Sequence, residues 1–133
     1  MSTDGDVPDF VRRVDLDALE RSSHDVRFVQ SLLDRDSGGA SVSVSLVRTP
    51  PGGGSPAGRH AHDVDQYYYV VRGTMHVEVD GRVATAGPGS LVVFNARIPH
   101  RNWNEGPEPT VHLAIHSPLP DPDLPFARPV EDA

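Results

Sequence analysis

The residues best suited to chemistry in this sequence are histidines, and two of them, His60 and His62, are separated by one residue. On a β-strand, residues i and i+2 point to the same face, so both imidazoles could bind one metal ion. Gln66 and Tyr68 share that parity if the strand continues. Taken alone, the pair is more typical of two solvated or hydrogen-bonded histidines, because such short motifs often occur by chance.

Composition limits the other kinds of site. The chain has no cysteine, which excludes disulfides, iron–sulfur clusters and thiol nucleophiles, so any metal must be held by nitrogen and oxygen ligands. The net charge is −7, and the twelve basic residues, all arginines, are scattered. We therefore expect no nucleic-acid partner. The first ten residues do not resemble a signal peptide, and no apolar run approaches the ~20 residues of a membrane span, so we expect a soluble cytoplasmic protein without membrane contact.

The elements that must position these side chains are short strands. A length of 133 residues suits one domain. Asp15 is a plausible N-cap for one or two helical turns carrying Leu16 and Leu19, and Asp80-Gly81 is a strong hairpin signal. Thr49–Gly58, rich in glycine and proline, is predicted to be a loop. Runs with strand character are 26–33, 42–47, 66–72, 74–79, 82–86, 91–94 and 111–115. This spacing predicts an antiparallel sandwich or barrel.

Two longer patterns resemble the motifs of the cupin superfamily. In the first, Gly54 is followed after five residues by the His60-x-His62 pair, then by Gln66 and Gly73 at the family's intervals, with Gln66 where glutamate is usual. The second runs from Gly89 through Asn95, Arg97 and His100 to Asn104. It departs from the family pattern at Asn95, where proline is usual, and at Arg97, where glycine is usual.

The resemblance implies an all-β fold, the cupin double-stranded β-helix or jelly-roll barrel, here with a short N-terminal helical turn. With this fold, the chain divides into an N-terminal segment (1–25), the barrel (26–117) and a tail (118–133), which its proline content predicts to be extended or partly disordered. The resemblance also implies that one divalent transition metal is bound by His60, His62, Gln66 and His100. Imidazoles suit Fe, Ni, Co, Zn or Mn, and the sequence does not select among them.

Glutamine in place of glutamate changes the charge of such a site. Three neutral imidazoles and a neutral amide leave the +2 charge uncompensated, which favours an anionic ligand and weakens the hold on the ion. The alternative is that Gln66 only hydrogen-bonds to a three-histidine site. The neutral set is similar to that of a bicupin isomerase acting on an anionic oxo-acid. The small single domain also resembles the cupin cyclases of aromatic polyketide pathways.

Further residues are candidates for the pocket. Tyr68 has inward parity, and its phenol could orient a substrate or donate a proton, or it could simply wall the cavity. His112 on the last strand could be a base or a further ligand, although a buried structural histidine is commoner. Asn104, Trp103 and Arg97 are candidate substrate-binding residues, against the alternatives of an internal hydrogen bond, simple packing and a solvated side chain.

These features lead to one favoured function and several alternatives. We expect a metal-dependent enzyme that uses its ion as a Lewis acid to isomerise, cyclise or decarboxylate a small anionic, enolisable metabolite such as an oxo-acid or a polyketide-like compound. The alternatives are an iron-dependent dioxygenase and a non-catalytic binding or regulatory protein. A metal-free sugar epimerase ranks last, because it would not need the His-x-His spacing. Exposed sheet edges further suggest a homodimer.

Overall fold

The described residues form ten short strands, one short α-helix and a 3-10 helical turn at Arg35–Ser37. The computed structural model describes residues 8–54 and 58–130. The elements are α1 (Leu16–Arg21), β1 (Phe28–Leu33), β2 (Ser43–Thr49), β3 (Arg59–Ala61), β4 (Asp65–Arg72), β5 (Met75–Val79), β6 (Arg82–Ala86), β7 (Leu91–Phe94), β8 (His100–Trp103), β9 (Thr110–Ser117) and β10 (Arg128–Val130).

The strands form two five-stranded sheets in which the paired strands are antiparallel. One sheet has the order β1-β2-β9-β4-β7 and the other β10-β3-β8-β5-β6. Most neighbours in each sheet are distant in sequence, so the chain crosses repeatedly between the sheets, as in a jelly roll. The predicted all-β jelly-roll fold is therefore confirmed. Within the described residues, none of the helices has the length and apolar character needed to cross a membrane.

The space between the sheets is filled on one side and open on the other. Toward β4, β5, β6 and β7 it holds an apolar core, whereas the side bordered by β1, β2, β3 and β9 contains a cavity. The core cluster comprises Val70, Met75, Val77, Ala86, Val92 and Phe94. Histidines concentrate on the cavity side, because inward positions of β3, β8 and β9 carry imidazoles where the core strands carry aliphatic side chains.

Helix α1 covers part of the outer face of the first sheet. Asp15 caps the helix as expected, with its carboxylate accepting a hydrogen bond from the Ala18 amide at 3.0 Å. Leu19 packs against Leu46 and Val111. The buried Arg48 guanidinium donates to the Leu19 carbonyl oxygen at 2.7 Å and so joins the helix end to β2. The predicted short helix is confirmed.

The Pro-rich tail contributes an edge strand. β10 pairs with β3, with Pro129 opposite His60. Proline cannot donate to a strand ladder, which restricts it to such edge positions. The sequence pattern did not single out β8 or β10, because neither HRNW nor RPV is a run of apolar or alternating residues.

Candidate metal centre

Three histidines from β3, the residue after β3 and the start of β8 lie close together. His60 and His100 are opposite one another in the ladder between these strands, and His62 follows β3. One ring nitrogen from each of the three lies within 4.8 Å of the others. The ring centroids are 4.5–5.0 Å apart. The structure thus brings together the three histidines that the two sequence motifs predicted.

Hydrogen bonds to the backbone determine the tautomers of two of these rings. His62 Nδ1 is 2.8 Å from the Phe126 carbonyl oxygen, and His100 Nδ1 is 3.1 Å from the Ile98 carbonyl oxygen. A carbonyl oxygen only accepts, so each Nδ1 carries the proton and each Nε2 has a free lone pair. Both Nε2 atoms are buried without a hydrogen-bond partner among the described residues. Such lone pairs are what a metal ion requires, and a backbone acceptor behind the ring is typical of a ligand histidine.

Gln66 presents a third unpartnered atom. Its amide nitrogen donates one hydrogen bond to Tyr68 Oη at 3.0 Å and a second to His116 Nε2 at 2.9 Å. These two bonds use both amide hydrogens. Its Oε1 is buried with no hydrogen-bond partner among the described residues. If Gln66 is the fourth ligand, Oε1 is the atom that would bind the ion; that role stays a prediction. Three neutral imidazoles with one amide oxygen fit a divalent transition metal.

Burial keeps the imidazoles in the form that binds metal. Desolvation lowers the pKa of His60 and His62, and it lowers that of His100 to about 4. Hydrogen bonding to the Phe126 carbonyl oxygen partly opposes the lowering at His62. All three rings are therefore neutral at pH 7 and carry free lone pairs.

The cluster opens into a cavity of about 530 Å³. Tyr68 and His112 both line it, and their rings are in tilted contact at 4.1 Å. Burial raises the pKa of Tyr68 to about 12 and lowers that of His112 to about 4, so both are neutral at pH 7. The inward parity predicted for Tyr68 is thus observed, and both candidate catalytic residues reach the cavity. Whether they act in catalysis stays a prediction.

The formal charge of the cavity lining is positive, because of one exposed arginine. The lining residues include one arginine, Arg27, and no acidic residue within the described chain. Sequence inspection missed Arg27, since it precedes β1 and belongs to neither motif. A metal held by neutral ligands would add its full charge to this potential.

The three candidate substrate-binding residues lie outside the cavity lining. Asn104 lies beyond the end of β8, where its amide donates to the Thr49 and Glu108 carbonyl oxygens and accepts from the Gly106 amide. Trp103 is on the outer face of β8, where its ring stacks on His76 and its indole N–H donates a hydrogen bond to the Glu105 carboxylate. Arg97 is exposed, and its backbone amide donates to the His62 carbonyl oxygen at 2.7 Å. The structure therefore gives these residues local structural partners.

Two other residues at the centre were also missed. His116 Nε2 accepts a hydrogen bond from the Gln66 amide, and burial lowers the pKa of His116 to about 4. Its signal was present in the sequence, because it shares the inward face of β9 with His112. Phe126 of the tail packs on His62 at 4.2 Å and on His116 at 4.9 Å between ring centroids. No local pattern indicates that contact, since 64 positions separate Phe126 from His62.

Comparison with known families gives one match. Residues 45–116 match the family model described as Cupin domain, which is more than half of the chain. The matched region contains the three clustered histidines, Gln66, Tyr68 and His112. No curated protein matches the chain.

Several solved structures have the same fold. The polyketide cyclase RemF from Streptomyces resistomycificus is 21% identical with a TM-score of 0.67, over 80% of this chain and 72% of that chain. A double-stranded β-helix protein from Klebsiella pneumoniae is 20% identical with a TM-score of 0.68, over 91% and 99%. A cupin 2 domain-containing protein from Halorhodospira halophila is 21% identical with a TM-score of 0.68, over 83% and 74%. At these identities the likeness establishes the fold alone.

Proposed function

This chain belongs to the cupin superfamily, and from that premise we propose that it is a metal-dependent enzyme acting on a small anionic, enolisable metabolite. The proposed reaction is an isomerisation, cyclisation or decarboxylation. The observation that carries the proposal is the neutral donor set. The unpartnered Nε2 atoms of His62 and His100 and Oε1 of Gln66 are buried near one another, and no carboxylate of the described residues lines the cavity.

A divalent ion bound by His60, His62, His100 and Gln66 would supply Lewis acidity, which polarises a carbonyl oxygen and favours the enolate of a bound substrate. The similarity to a polyketide cyclase of the same fold is compatible with such chemistry. That similarity lies under 25% identity, so the proposal rests on the donor set.

The cavity side chains divide the remaining tasks. Tyr68 keeps its proton at neutral pH, because burial raises its pKa to about 12, so the phenol can donate a hydrogen bond to a substrate oxygen but does not act as a base. His112 is neutral, and its buried Nδ1 has no hydrogen-bond partner among the described residues. His112 therefore has a buried ring nitrogen available to a bound substrate. Phe126 and the tail cover the histidine cluster and limit the access of water.

The experiment that tests the metal site combines elemental analysis with a charge-changing variant. The gently purified full chain is expected to contain about one transition-metal ion per protein, and His60→Ala is expected to lose it. Gln66→Glu should bind the metal more tightly and bind oxo-acid anions more weakly, because the carboxylate neutralises part of the ionic charge. Gln30→Glu is the matched control, because it adds the same charge outside the cavity. The Gln30 side chain accepts a hydrogen bond from the Asp15 amide and does not line the cavity.

Each result bears on a different part of the proposal. A purified chain without metal would contradict the metal-dependent function. An unchanged metal affinity in Gln66→Glu would place Gln66 behind the histidines as a hydrogen-bonding partner.

An oxygen-electrode measurement with diketones and oxo-acids addresses the reaction class. We expect product formation without O₂ uptake, whereas O₂ consumption would favour a dioxygenase.

We also propose that the chain forms a homodimer. The first sheet ends at β7, and the outer side chains Leu91 and Tyr69 are 59% and 44% exposed there. Pairing with a second copy is one way to cover an exposed sheet edge. Light scattering at micromolar concentration should give twice the monomer mass of 14.4 kDa, and a monomeric mass would contradict the proposal.

A further inference from the structure

We propose that the cavity contains a second, anion-binding subsite, formed by Arg27 and His112 at the end away from the three histidines. The substrate would then carry one anionic group opposite the oxygen atoms that bind the metal. This inference rests on the proposed function and narrows its substrate class to compounds that are anionic at the far end.

The strand register separates the two ends of the cavity. On β9, His116 is opposite Gln66 at the metal end. His112 is four residues further along the same inward face, and a strand advances about 3.3 Å per residue, so about 13 Å separates these positions. Arg27 immediately precedes Phe28, whose partner in the ladder is Arg48, and the neighbouring Val47 is opposite His112 on β9. Arg27 and His112 therefore lie toward the same end of the sheet.

Electrostatic effects support this placement. The positive charge of Arg27 acts to lower the pKa of both Tyr68 and His112. At His112 it adds to the larger effect of burial, whereas at Tyr68 it opposes the larger effect of burial, which raises the pKa. No contribution from Arg27 is seen at His60, His62 or His100. Arg27 therefore lies near the Tyr68 and His112 rings, whose centroids are 4.1 Å apart.

Two polar groups of the described residues are available to a ligand at this end. Arg27 is exposed and makes no hydrogen bond or ion pair within the described residues, so its guanidinium can bind a ligand, whereas Arg48 and Arg128 are both engaged. His112 is 2% exposed, and its Nδ1 is buried without a hydrogen-bond partner in the same part of the chain. A buried polar atom without a partner is costly unless a ligand or water satisfies it. An anion held by Arg27 could supply that partner.

The chemistry of the pair selects the ligand class. A guanidinium presents a planar fork that matches a carboxylate, and charge-assisted hydrogen bonds of this kind are stronger than neutral ones. In the tautomer with a proton on Nδ1, the His112 imidazole can donate a further hydrogen bond to the same group. The subsite is therefore expected to bind a carboxylate, and a substrate carrying one there would reach back toward the metal with its oxo group.

The test compares two six-carbon oxo-acids that differ at one end. 2-Oxoadipate carries a terminal carboxylate and 2-oxohexanoate does not, so the ratio of their dissociation constants isolates the contribution of that group. Calorimetric titrations use the full-length protein loaded with Ni²⁺, as wild type, Arg27→Gln and Arg82→Gln. Arg82 is exposed on β6 and lies outside the cavity lining, which makes it the matched control.

We expect wild type and Arg82→Gln to bind 2-oxoadipate at least about tenfold more tightly than 2-oxohexanoate, and Arg27→Gln to lose that preference. Absence of the preference in wild type, or its retention in Arg27→Gln, would overturn the subsite. Repeating the titrations after metal removal separates this result from the proposed function. Equal 2-oxohexanoate affinity with and without Ni²⁺ would contradict the metal site, whatever Arg27→Gln does.

Discussion

His62 Nδ1 donates a hydrogen bond to the backbone carbonyl oxygen of Phe126, and the Phe126 ring packs on the same imidazole at 4.2 Å. A residue of the C-terminal tail thus determines the tautomer of a candidate metal ligand and covers one of its faces. The tail is held nearby by β10, which pairs with β3 next to His60. The tail segment that leads into β10 is therefore part of the candidate metal centre.

The first prediction concerns this contact. Phe126→Ala keeps the carbonyl but removes the ring contacts with His62 and His116, so the tail should be held less firmly and the orientation of His62 less well defined. Loss of such an outer partner typically weakens metal binding by 10–100-fold, and we expect about tenfold here. Competition with a chromogenic chelator measures the affinity. Leu124→Ala is the control, because Leu124 is in the same segment and similarly exposed, at 48% against 43% for Phe126. Equal effects of the two variants would contradict a specific role for Phe126.

The second prediction distinguishes the two possible positions of Gln66. Tyr68→Phe removes the hydroxyl that accepts a hydrogen bond from the Gln66 amide at 3.0 Å. Leaving a buried amide hydrogen without a partner costs about 1–3 kcal/mol, so the free energy of unfolding should fall by that amount. If Gln66 Oε1 binds the ion, metal affinity should fall as well, since the amide is free to rotate.

The measurements for this variant are chemical denaturation of the metal-free protein and chelator competition. Tyr69→Phe is the matched control, because Tyr69 is the next residue on β4 and is 44% exposed on the opposite face. Reduced stability with unchanged metal affinity would show that Gln66 does not bind the ion.

Parity arguments on the strands predicted much of this centre. Alternation along β4 placed Gln66 and Tyr68 inside and Tyr69 outside, as the structure has them. Asn104 lies beyond the end of β8 at Trp103, where alternation no longer applies, and its side chain makes the internal hydrogen bonds named as the alternative to substrate binding. Trp103 itself alternates with the inward Asn102 and so faces outward.

The parts that could not be predicted depend on contacts between distant segments. Phe126 and Arg27 reach the cavity from outside the two motifs, and nothing in their local sequence indicates that they do so. Composition likewise described the tail as extended, but pairing with a particular strand depends on tertiary structure. Local patterns therefore located the three histidines, while Phe126, which packs on His62, and Arg27, which lines the cavity, became visible only in the folded chain.

The third prediction concerns the turn before His100. Arg97 has a φ of +67°, in the left-handed region, at the position where the cupin motif usually has glycine. That conformation costs a non-glycine residue about 1–2 kcal/mol in the folded protein. Glycine avoids this cost, but it also increases the conformational entropy of the unfolded chain, which cancels part of the gain in stability. Arg97→Gly should therefore stabilise the protein by about 0.5–1 kcal/mol, measured by urea denaturation. Ala96→Gly, at a neighbouring residue without positive φ, should lower stability instead. A destabilised Arg97→Gly would contradict the strain.

The last prediction concerns stability in acid. Glu78 is buried on β5 between the guanidinium groups of Arg59 and Arg101, which belong to the two strands that carry His60 and His100. The hydrogen bond from Arg59 is the main cause that holds the pKa of Glu78 below its ordinary value of 4.5. A carboxylate whose pKa is lower in the folded than in the unfolded state stabilises the fold above the unfolded pKa. That contribution disappears as the pH falls from about 4.5 through the lower folded pKa.

Glu78→Gln should therefore have a lower Tm than wild type at pH 7, and the difference should shrink steadily below pH 4.5. Thermal unfolding of both proteins between pH 3 and pH 7 measures this dependence. Glu105→Gln is the control, because that side chain is 60% exposed and contributes little through its ion pair with His76. A Tm difference for Glu78→Gln that is constant across the pH range would mean that the loss comes from packing, and the ion pairs of Glu78 would then make no contribution to stability.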